Sequence, residues 1–122
     1  MEHKPEFLKL VNDSKKNIKE VTVEAVQTKF HDNTDFLLID VREESEWNRG
    51  RIAGATYLGR GIIERDIEKI VPDASREIIL YCGGGYRSAL SAESLQKMGY
   101  TNVFSLAGGW KAWLEAGHKT EM

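Results

Sequence analysis

The chain is poor in the residues that build disulfide bonds and metal sites. Of its 122 residues, one is cysteine, Cys82, two are proline and three are histidine. A single cysteine excludes an intramolecular disulfide and suits a reducing compartment. The histidines His3, His31 and His118 lie far apart in sequence and have no metal-ligand spacing with Cys82. We therefore expect no metal site, and Cys82 becomes a candidate for chemistry.

The chain also lacks an excess of positive charge and any long hydrophobic run. It has 17 Lys and Arg against 19 Asp and Glu, a net charge of -2. That balance argues against a general nucleic-acid-binding protein, which usually carries a basic surface. No apolar run has the length of a signal peptide or a membrane span. We expect a soluble cytoplasmic protein with no nucleic-acid and no membrane partner.

Short apolar runs alternate with segments of helical periodicity. The runs at 36–39 and 77–81 are apolar enough to predict buried parallel strands, and shorter strands are predicted at 56–58 and 102–106. Helices are predicted at 5–14, 22–30, 43–48, 63–70, 87–98 and after 109. This alternation predicts an α/β fold with a mostly parallel sheet. We expect an N-terminal helical extension at 1–17, one domain at 18–117 and a C-terminal tail at 118–122.

The most informative segment is the glycine loop that begins at Cys82. It follows a predicted buried strand and opens a helix, and ligands of open α/β sheets bind at that edge. Gly83, Gly84 and Gly85 have no Cβ, so their N–H groups can turn inward together and attract an anion. The helix N-terminus adds to this field. Because the thiolate is the nucleophilic form of cysteine, the Cys82 sulfur could itself be the bound anion.

Other interpretations of this loop fit less well. A lone cysteine after an apolar strand is often a small core residue, but a glycine loop at a helix start favours a site. A phosphate-binding P-loop ends in Gly-Lys-Ser/Thr, whereas this loop ends in Tyr86-Arg87-Ser88. The dinucleotide fingerprint also fails, since Ser88 stands at its last glycine. We expect the planar donors of Arg87 to hold the loop or a substrate oxyanion.

The chain resembles the single-domain rhodanese family from about residue 18 to residue 117. Five motifs carry the resemblance, in the family's order and at its spacing. The first two are Leu-Ile-Asp-Val-Arg with the following helix at 38–47 and Gly-Arg-Ile-Ala-Gly-Ala at 50–55. The other three are Cys-Gly-Gly-Gly-Tyr-Arg-Ser at 82–88, Gly-Tyr at 99–100 with Val103, and Ala-Gly-Gly-Trp at 107–110 with Ala112 and Trp113. This resemblance implies a rhodanese-like fold, in which helices flank a mostly parallel central sheet on both faces.

The resemblance also implies a sulfurtransferase activity and a set of site residues. Cys82 would form a persulfide with sulfur from a small anionic donor such as thiosulfate, and a thiol, cyanide or a protein would accept it. No metal or organic cofactor is implied. The implied residues are Cys82 as catalytic residue, a substrate cradle of Gly83, Gly84, Gly85, Tyr86, Arg87 and Ser88, a supporting pair of Asp40 and Arg42, and Arg60 as a further anion-binding candidate.

Two alternatives remain open. A phosphatase or arsenate reductase can share this fold, but those loops have five residues between Cys and Arg, whereas four separate Cys82 from Arg87. The fold can also serve as a non-catalytic protein-interaction module, with the helix at 5–14 as a docking or dimerisation element. The carboxylates Glu43, Glu44 and Glu46 are interpreted as a solvated helix face.

Overall fold

A five-stranded sheet of parallel strands organises the computed structural model, which describes residues 3–122. The sheet has the order β1-β6-β5-β2-β4, and every adjacent pair is parallel. Its strands are β1 (Lys19–Val21), β2 (Leu37–Asp40), β4 (Thr56–Tyr57), β5 (Ile78–Tyr81) and β6 (Val103–Leu106). Two further strands, β3 (Arg51–Ile52) and β7 (Thr120–Glu121), form a small antiparallel sheet. The predicted α/β fold with a mostly parallel sheet is confirmed.

Six α-helices surround the sheet. They are α1 (Pro5–Lys15), α2 (Val23–His31), α3 (Glu44–Arg49), α4 (Ile63–Ile70), α5 (Tyr86–Lys97) and α6 (Gly109–Glu115), and a 3-10 turn (Arg60–Ile62) precedes α4. Local sequence signals account for their starts. Pro5 stands at the first turn of α1, where its missing N–H costs nothing. Thr22 caps α2, since its hydroxyl accepts a hydrogen bond from the Ala25 N–H at 3.1 Å.

The two faces of the sheet are covered by different helices. Along β5, Ile78 and Leu80 pack with the core residues of α4 and α5, whereas Ile79 and Tyr81 pack with those of α2 and α6. All of these strand side chains are fully buried. The strand is therefore apolar on both faces, as expected for the centre of a parallel sheet. Cys82 follows directly and lies at the carboxyl end of this central strand.

Helix α1 packs against α5, the helix that begins at the glycine loop. Val11 is fully buried and clusters with Ala89 and Leu90 of α5. The Ser14 hydroxyl donates a hydrogen bond to the carboxylate of Glu93 at 2.8 Å. The apolar face of α1 is therefore used for packing within the chain.

Three strands are missing from the sequence prediction. Strand β1 contains Lys19 and Glu20, both exposed, and pairs only with β6, so it shows no apolar pattern. Strands β3 and β7 have two residues each, too few for periodicity to appear. Segment 118–122 thus contains a strand that pairs with Arg51 and Ile52.

Among residues 3–122, no helix is both long and apolar enough to cross a membrane.

Removal of the α2 cap should destabilise the fold. The Thr22→Ala variant loses the acceptor for the Ala25 N–H, so we expect its free energy of unfolding to fall by about 1 kcal/mol in urea titrations. Thr28→Ala on the same helix is the matched control. Thr28 is exposed in the helix interior, where alanine has the higher helix propensity. A Thr22→Ala loss no larger than the Thr28→Ala effect would contradict this role of the cap.

Candidate active site

The sulfur of Cys82 lies inside the turn between β5 and α5. It accepts hydrogen bonds from two backbone N–H groups, of Gly85 at 3.2 Å and of Ser88 at 3.3 Å. Cys82 has an exposed fraction of 1%, and its sulfur lies 3.5 Å from the Ser88 hydroxyl. The backbone donors and the N-terminus of α5 thus converge on the sulfur, and both favour a negative charge there.

The Ser88 hydroxyl links the sulfur to the neighbouring strand. It shares a hydrogen bond of 2.8 Å with the hydroxyl of Ser105, which lies on β6 and is fully buried. Ser88 is itself fully buried at the start of α5. This chain of two hydroxyls fixes the first turn of α5, and with it the Ser88 N–H, relative to the sheet.

Gly85 must be glycine at its place in the loop. Its φ is +95°, in the left-handed region that side chains rarely adopt. A Cβ there would also lie 3.2 Å from the Gly108 nitrogen and 3.4 Å from the Leu106 oxygen. Gly84 differs, since it is exposed, has no positive φ, and its Cβ position has no neighbour within 4 Å.

The start of α6 holds the loop from the other side. The N–H groups of Trp110 and Lys111 donate to the carbonyls of Cys82 and Gly83, at 2.8 and 3.0 Å. Gly109, with a φ of +54°, makes this approach possible because any Cβ there would collide with the Cys82 oxygen. The loop is therefore held by the hydrogen bonds to the Cys82 sulfur and by those to the carbonyls of Cys82 and Gly83.

Arg87 lines the site as the partner of Glu46, a residue of α3. Two hydrogen bonds of 2.7 and 3.1 Å join its guanidinium to the Glu46 carboxylate. These bonds raise the pKa of Arg87, with a further contribution from the nearby Cys82 sulfur. They also lower the pKa of Glu46 from 4.5 to about 2, against the opposing effect of burial. The interpretation of Glu46 as only part of a solvated helix face is wrong, because it packs against Arg87.

Asp40 and Arg42 form a buried ion pair beside the loop. Arg42 donates to both carboxylate oxygens of Asp40, with a shortest distance of 2.8 Å, and to the Gly50 carbonyl at 2.6 Å. The Tyr81 hydroxyl donates to Asp40 at 2.7 Å, and the Arg42 guanidinium lies over the Trp110 ring at 4.8 Å. Tyr81 precedes the loop and Trp110 holds it, so the pair reaches the loop through these two residues.

A cavity of about 420 Å³ opens above the sulfur. The residues that line it are His3, Phe7, Glu46, Cys82, Gly84, Tyr86 and Arg87. Arg60 is exposed and lines a separate groove with Glu43, Glu44 and Tyr57. The structure therefore does not bring Arg60 to the Cys82 cavity. No group of three or more His, Cys, Asp or Glu side chains that could hold a metal ion occurs within residues 3–122.

Comparisons with known proteins agree with this geometry. The family model of the rhodanese-like domain matches residues 22–116. The chain belongs to the rhodanese-like domain family. It is 32% identical to a sulfurtransferase of Allochromatium vinosum, over 82% of this chain and 92% of the relative. It is 31% identical to the thiosulfate sulfurtransferase GlpE of Coxiella burnetii, over 70% of this chain and 78% of the relative.

A solved structure from Rhodopseudomonas palustris superposes on this rhodanese-like domain with a TM-score of 0.86. It is 28% identical in sequence and covers 99% of both chains. That protein is described as being of unknown function and a possible tyrosine phosphatase. The family resemblance predicted from the sequence is confirmed, and the relatives from Allochromatium vinosum and Coxiella burnetii are both named as sulfurtransferases.

Sequence reasoning missed four residues of this site, and one of them is His3, which lines the cavity and lies against Phe7 and Tyr86. Glu46 lies 41 positions before Arg87, and its only local signal is a capping box with Glu43 at the start of α3. Phe7 reaches the cavity from α1, which the sequence presents as a separate extension. Ser105 sits within an apolar strand without any motif around it. Each is brought to the site by tertiary packing between distant segments.

The Glu46–Arg87 pair should make stability depend on pH. The folded-state pKa of Glu46 lies below its unfolded value, so its contribution is present above pH 4.5 and is lost as the pH falls towards 2. Relative to Glu46→Gln, which keeps a hydrogen-bond acceptor, we expect an added free energy of unfolding on the order of 2 kcal/mol near neutral pH. Chemical denaturation of both proteins across this range measures the difference, and a gap that stays constant down to about pH 2 would exclude the linkage.

Proposed function

We propose that this rhodanese-like domain is a sulfurtransferase of the thiosulfate type, which carries sulfane sulfur as a persulfide on Cys82. The observation that carries the proposal is the pair of N–H donors, from Gly85 and Ser88, that point at the cysteine sulfur. Such donors stabilise the thiolate that must attack and the charge that develops during transfer. The sulfurtransferase names of the relatives support the same assignment.

In the first half-reaction the Cys82 thiolate attacks the outer sulfur of the donor. With thiosulfate, the bond between the two donor sulfurs breaks, sulfite leaves with its electron pair, and Cys82–S–S⁻ remains. We expect the N–H groups of Gly85 and Ser88, which donate to the Cys82 sulfur, to stabilise the charge on the terminal sulfur of this persulfide as well. Asp40 and Arg42 lie behind the loop and act as positioning residues, because their contacts run through Tyr81 and Trp110.

In the second half-reaction an acceptor removes the outer sulfur. A thiolate takes it and becomes a persulfide, whereas cyanide becomes thiocyanate, and in both cases the Cys82 thiolate is regenerated. No redox partner is required, since the sulfane sulfur passes from donor to acceptor at the same oxidation level. A protein thiol fits this scheme as well as a small one, because the chemistry of the step is the same for both.

Phosphate chemistry is the second candidate, because a similar structure is described as a possible tyrosine phosphatase. Two features of the loop oppose it. Four residues separate Cys82 from Arg87, one fewer than in the phosphatase loops, so the loop is short for a tetrahedral oxyanion. Arg87 is also held by Glu46 rather than free to bind a tetrahedral oxyanion.

The Cys82→Ser variant tests the proposed intermediate. Incubation of the wild type with thiosulfate should add about 32 Da, one sulfur atom, that dithiothreitol removes. The variant should show neither the added mass nor thiocyanate formation with cyanide. Intact-protein mass spectrometry and a thiocyanate assay measure both.

Sulfur transfer that persists in Cys82→Ser would refute the proposal, since the chain has no other thiol. The same two proteins are assayed with p-nitrophenyl phosphate, for which we expect no difference between them. Hydrolysis that depends on Cys82 would instead assign the site to a phosphatase.

A cation at position 84 should improve the use of thiosulfate. The residue tolerates a side chain, because it has no positive φ and its Cβ position is open. A lysine there adds a mobile charge beside the cavity for a dianionic donor. We expect kcat/KM for thiosulfate to rise about fivefold, equivalent to about 1 kcal/mol, and the gain to shrink at high salt.

The matched control is Gly84→Gln, which adds similar bulk without charge. Both variants must be folded. If kcat/KM for thiosulfate is no higher in Gly84→Lys than in Gly84→Gln, at low salt and at high salt alike, electrostatic capture of thiosulfate does not limit turnover. The lack of a cation among the loop glycines would then not indicate which donor the protein uses.

A further inference from the structure

The cavity above Cys82 has an aromatic wall that two helices build. Phe7 of α1 and Tyr86 of α5 meet edge to face, with ring centroids 6.2 Å apart and an interplanar angle of 79°. Both residues line the cavity and both are half-buried. The wall is held in place by the packing of α1 against α5, in which Val11 is fully buried.

The size of the cavity exceeds what an inorganic donor needs. Its volume of about 420 Å³ falls in the range of pockets that hold organic ligands. Thiosulfate has only a handful of heavy atoms, so it would leave most of the aromatic wall in contact with water. A donor with an apolar group would place that group against the aromatic wall and remove the surface of the wall from water.

The charges around the cavity also disfavour a dianion. Arg87 is the only Lys or Arg among the described residues that line it, and both of its bonds to Glu46 hold it in an ion pair. Lys111 lies in a neighbouring hollow beyond Gly84, and Lys15 contacts the Tyr86 ring at 5.2 Å without lining the cavity. No Lys or Arg among the described residues that line the cavity is left without a carboxylate partner. The repulsion between a dianion and the Cys82 thiolate would therefore be offset only by groups such as His3 and by Lys111 in the adjoining hollow.

We propose that the preferred donor carries its sulfane sulfur on a flat apolar organic group, and that Phe7 is a specificity-determining residue for it. This inference rests on the proposed sulfurtransferase function. With an aryl thiosulfonate, the Cys82 thiolate attacks the outer sulfur, the sulfur–sulfur bond of the donor breaks, and aryl sulfinate leaves with the electron pair. The aromatic group of the donor lies against Phe7 and Tyr86 while its sulfur reaches Cys82.

Two matched donors test the inference. Benzenethiosulfonate and methanethiosulfonate carry the same charge and the same sulfane sulfur, and differ in the phenyl or methyl group. The readout is the ratio of their kcat/KM values in each variant, because the intrinsic difference in reactivity between the donors cancels when variants are compared. We expect Phe7→Ala to lower the aryl-to-methyl ratio about fivefold and Phe7→Leu to lower it less.

The control is Leu10→Ala, because Leu10 lies on the same helix but is 55% exposed and does not line the cavity. It should keep the wild-type ratio. An aryl-to-methyl ratio that is unchanged in both Phe7→Ala and Phe7→Leu would overturn the inference. Circular dichroism of Phe7→Leu verifies that helix α1 is retained. If the wild type forms no persulfide with either donor or with thiosulfate, the proposed function fails instead, so the two failures are distinguishable.

Discussion

The close approach of two backbone segments is the constraint on which the site depends. The loop after β5 and the start of α6 lie so near that Gly109 has no room for a Cβ and a Cβ at Gly85 would be in tight contact with the backbone of Gly108. Both glycines also have positive φ. The close approach lets the N–H groups of Trp110 and Lys111 donate to the carbonyls of Cys82 and Gly83. On the other side of the loop, the N–H groups of Gly85 and Ser88 donate to the sulfur. The sulfur environment is therefore made by backbone geometry rather than by catalytic side chains.

The buried Asp40–Arg42 pair extends this constraint into the sheet. Two charges removed from water are costly unless each is well paired, and here Asp40 also accepts a hydrogen bond from Tyr81 while Arg42 also donates to Gly50. Burial and the Asp40 carboxylate raise the pKa of Tyr81, so its hydroxyl stays a donor. Strand β2 is thereby tied to the end of β5, directly before the loop. The pair specifies where the loop starts, although neither residue contacts the reacting sulfur.

Local sequence patterns were enough to predict the centre of the fold and the identity of the loop. Strand β5 is apolar on both faces, and the run of glycines that follows it marks a turn, in which Gly85 has the positive φ that favours glycine. Strand β1 could not be found in this way, because its exposed lysine and glutamate make it look like a linker. The contact of Phe7 with Tyr86 and the ion pair of Glu46 with Arg87 join segments that are far apart in the chain. Such contacts follow from tertiary packing and leave no periodic signal.

The sequence of the glycine loop predicts an anion site in which the anion is the Cys82 sulfur or a substrate oxyanion, and the three-dimensional arrangement favours the sulfur. The N–H donors of the loop are directed at the cysteine sulfur, so the negative charge that they favour lies on a group of the protein itself. The Arg87 cation that could have served a second anion is neutralised by a carboxylate with a pKa of about 2, which remains ionised at neutral pH. What remains available to a bound donor is mainly aromatic surface from α1 and α5. Under the proposed function, the backbone stabilises the reacting sulfur, whereas side chains recognise the donor.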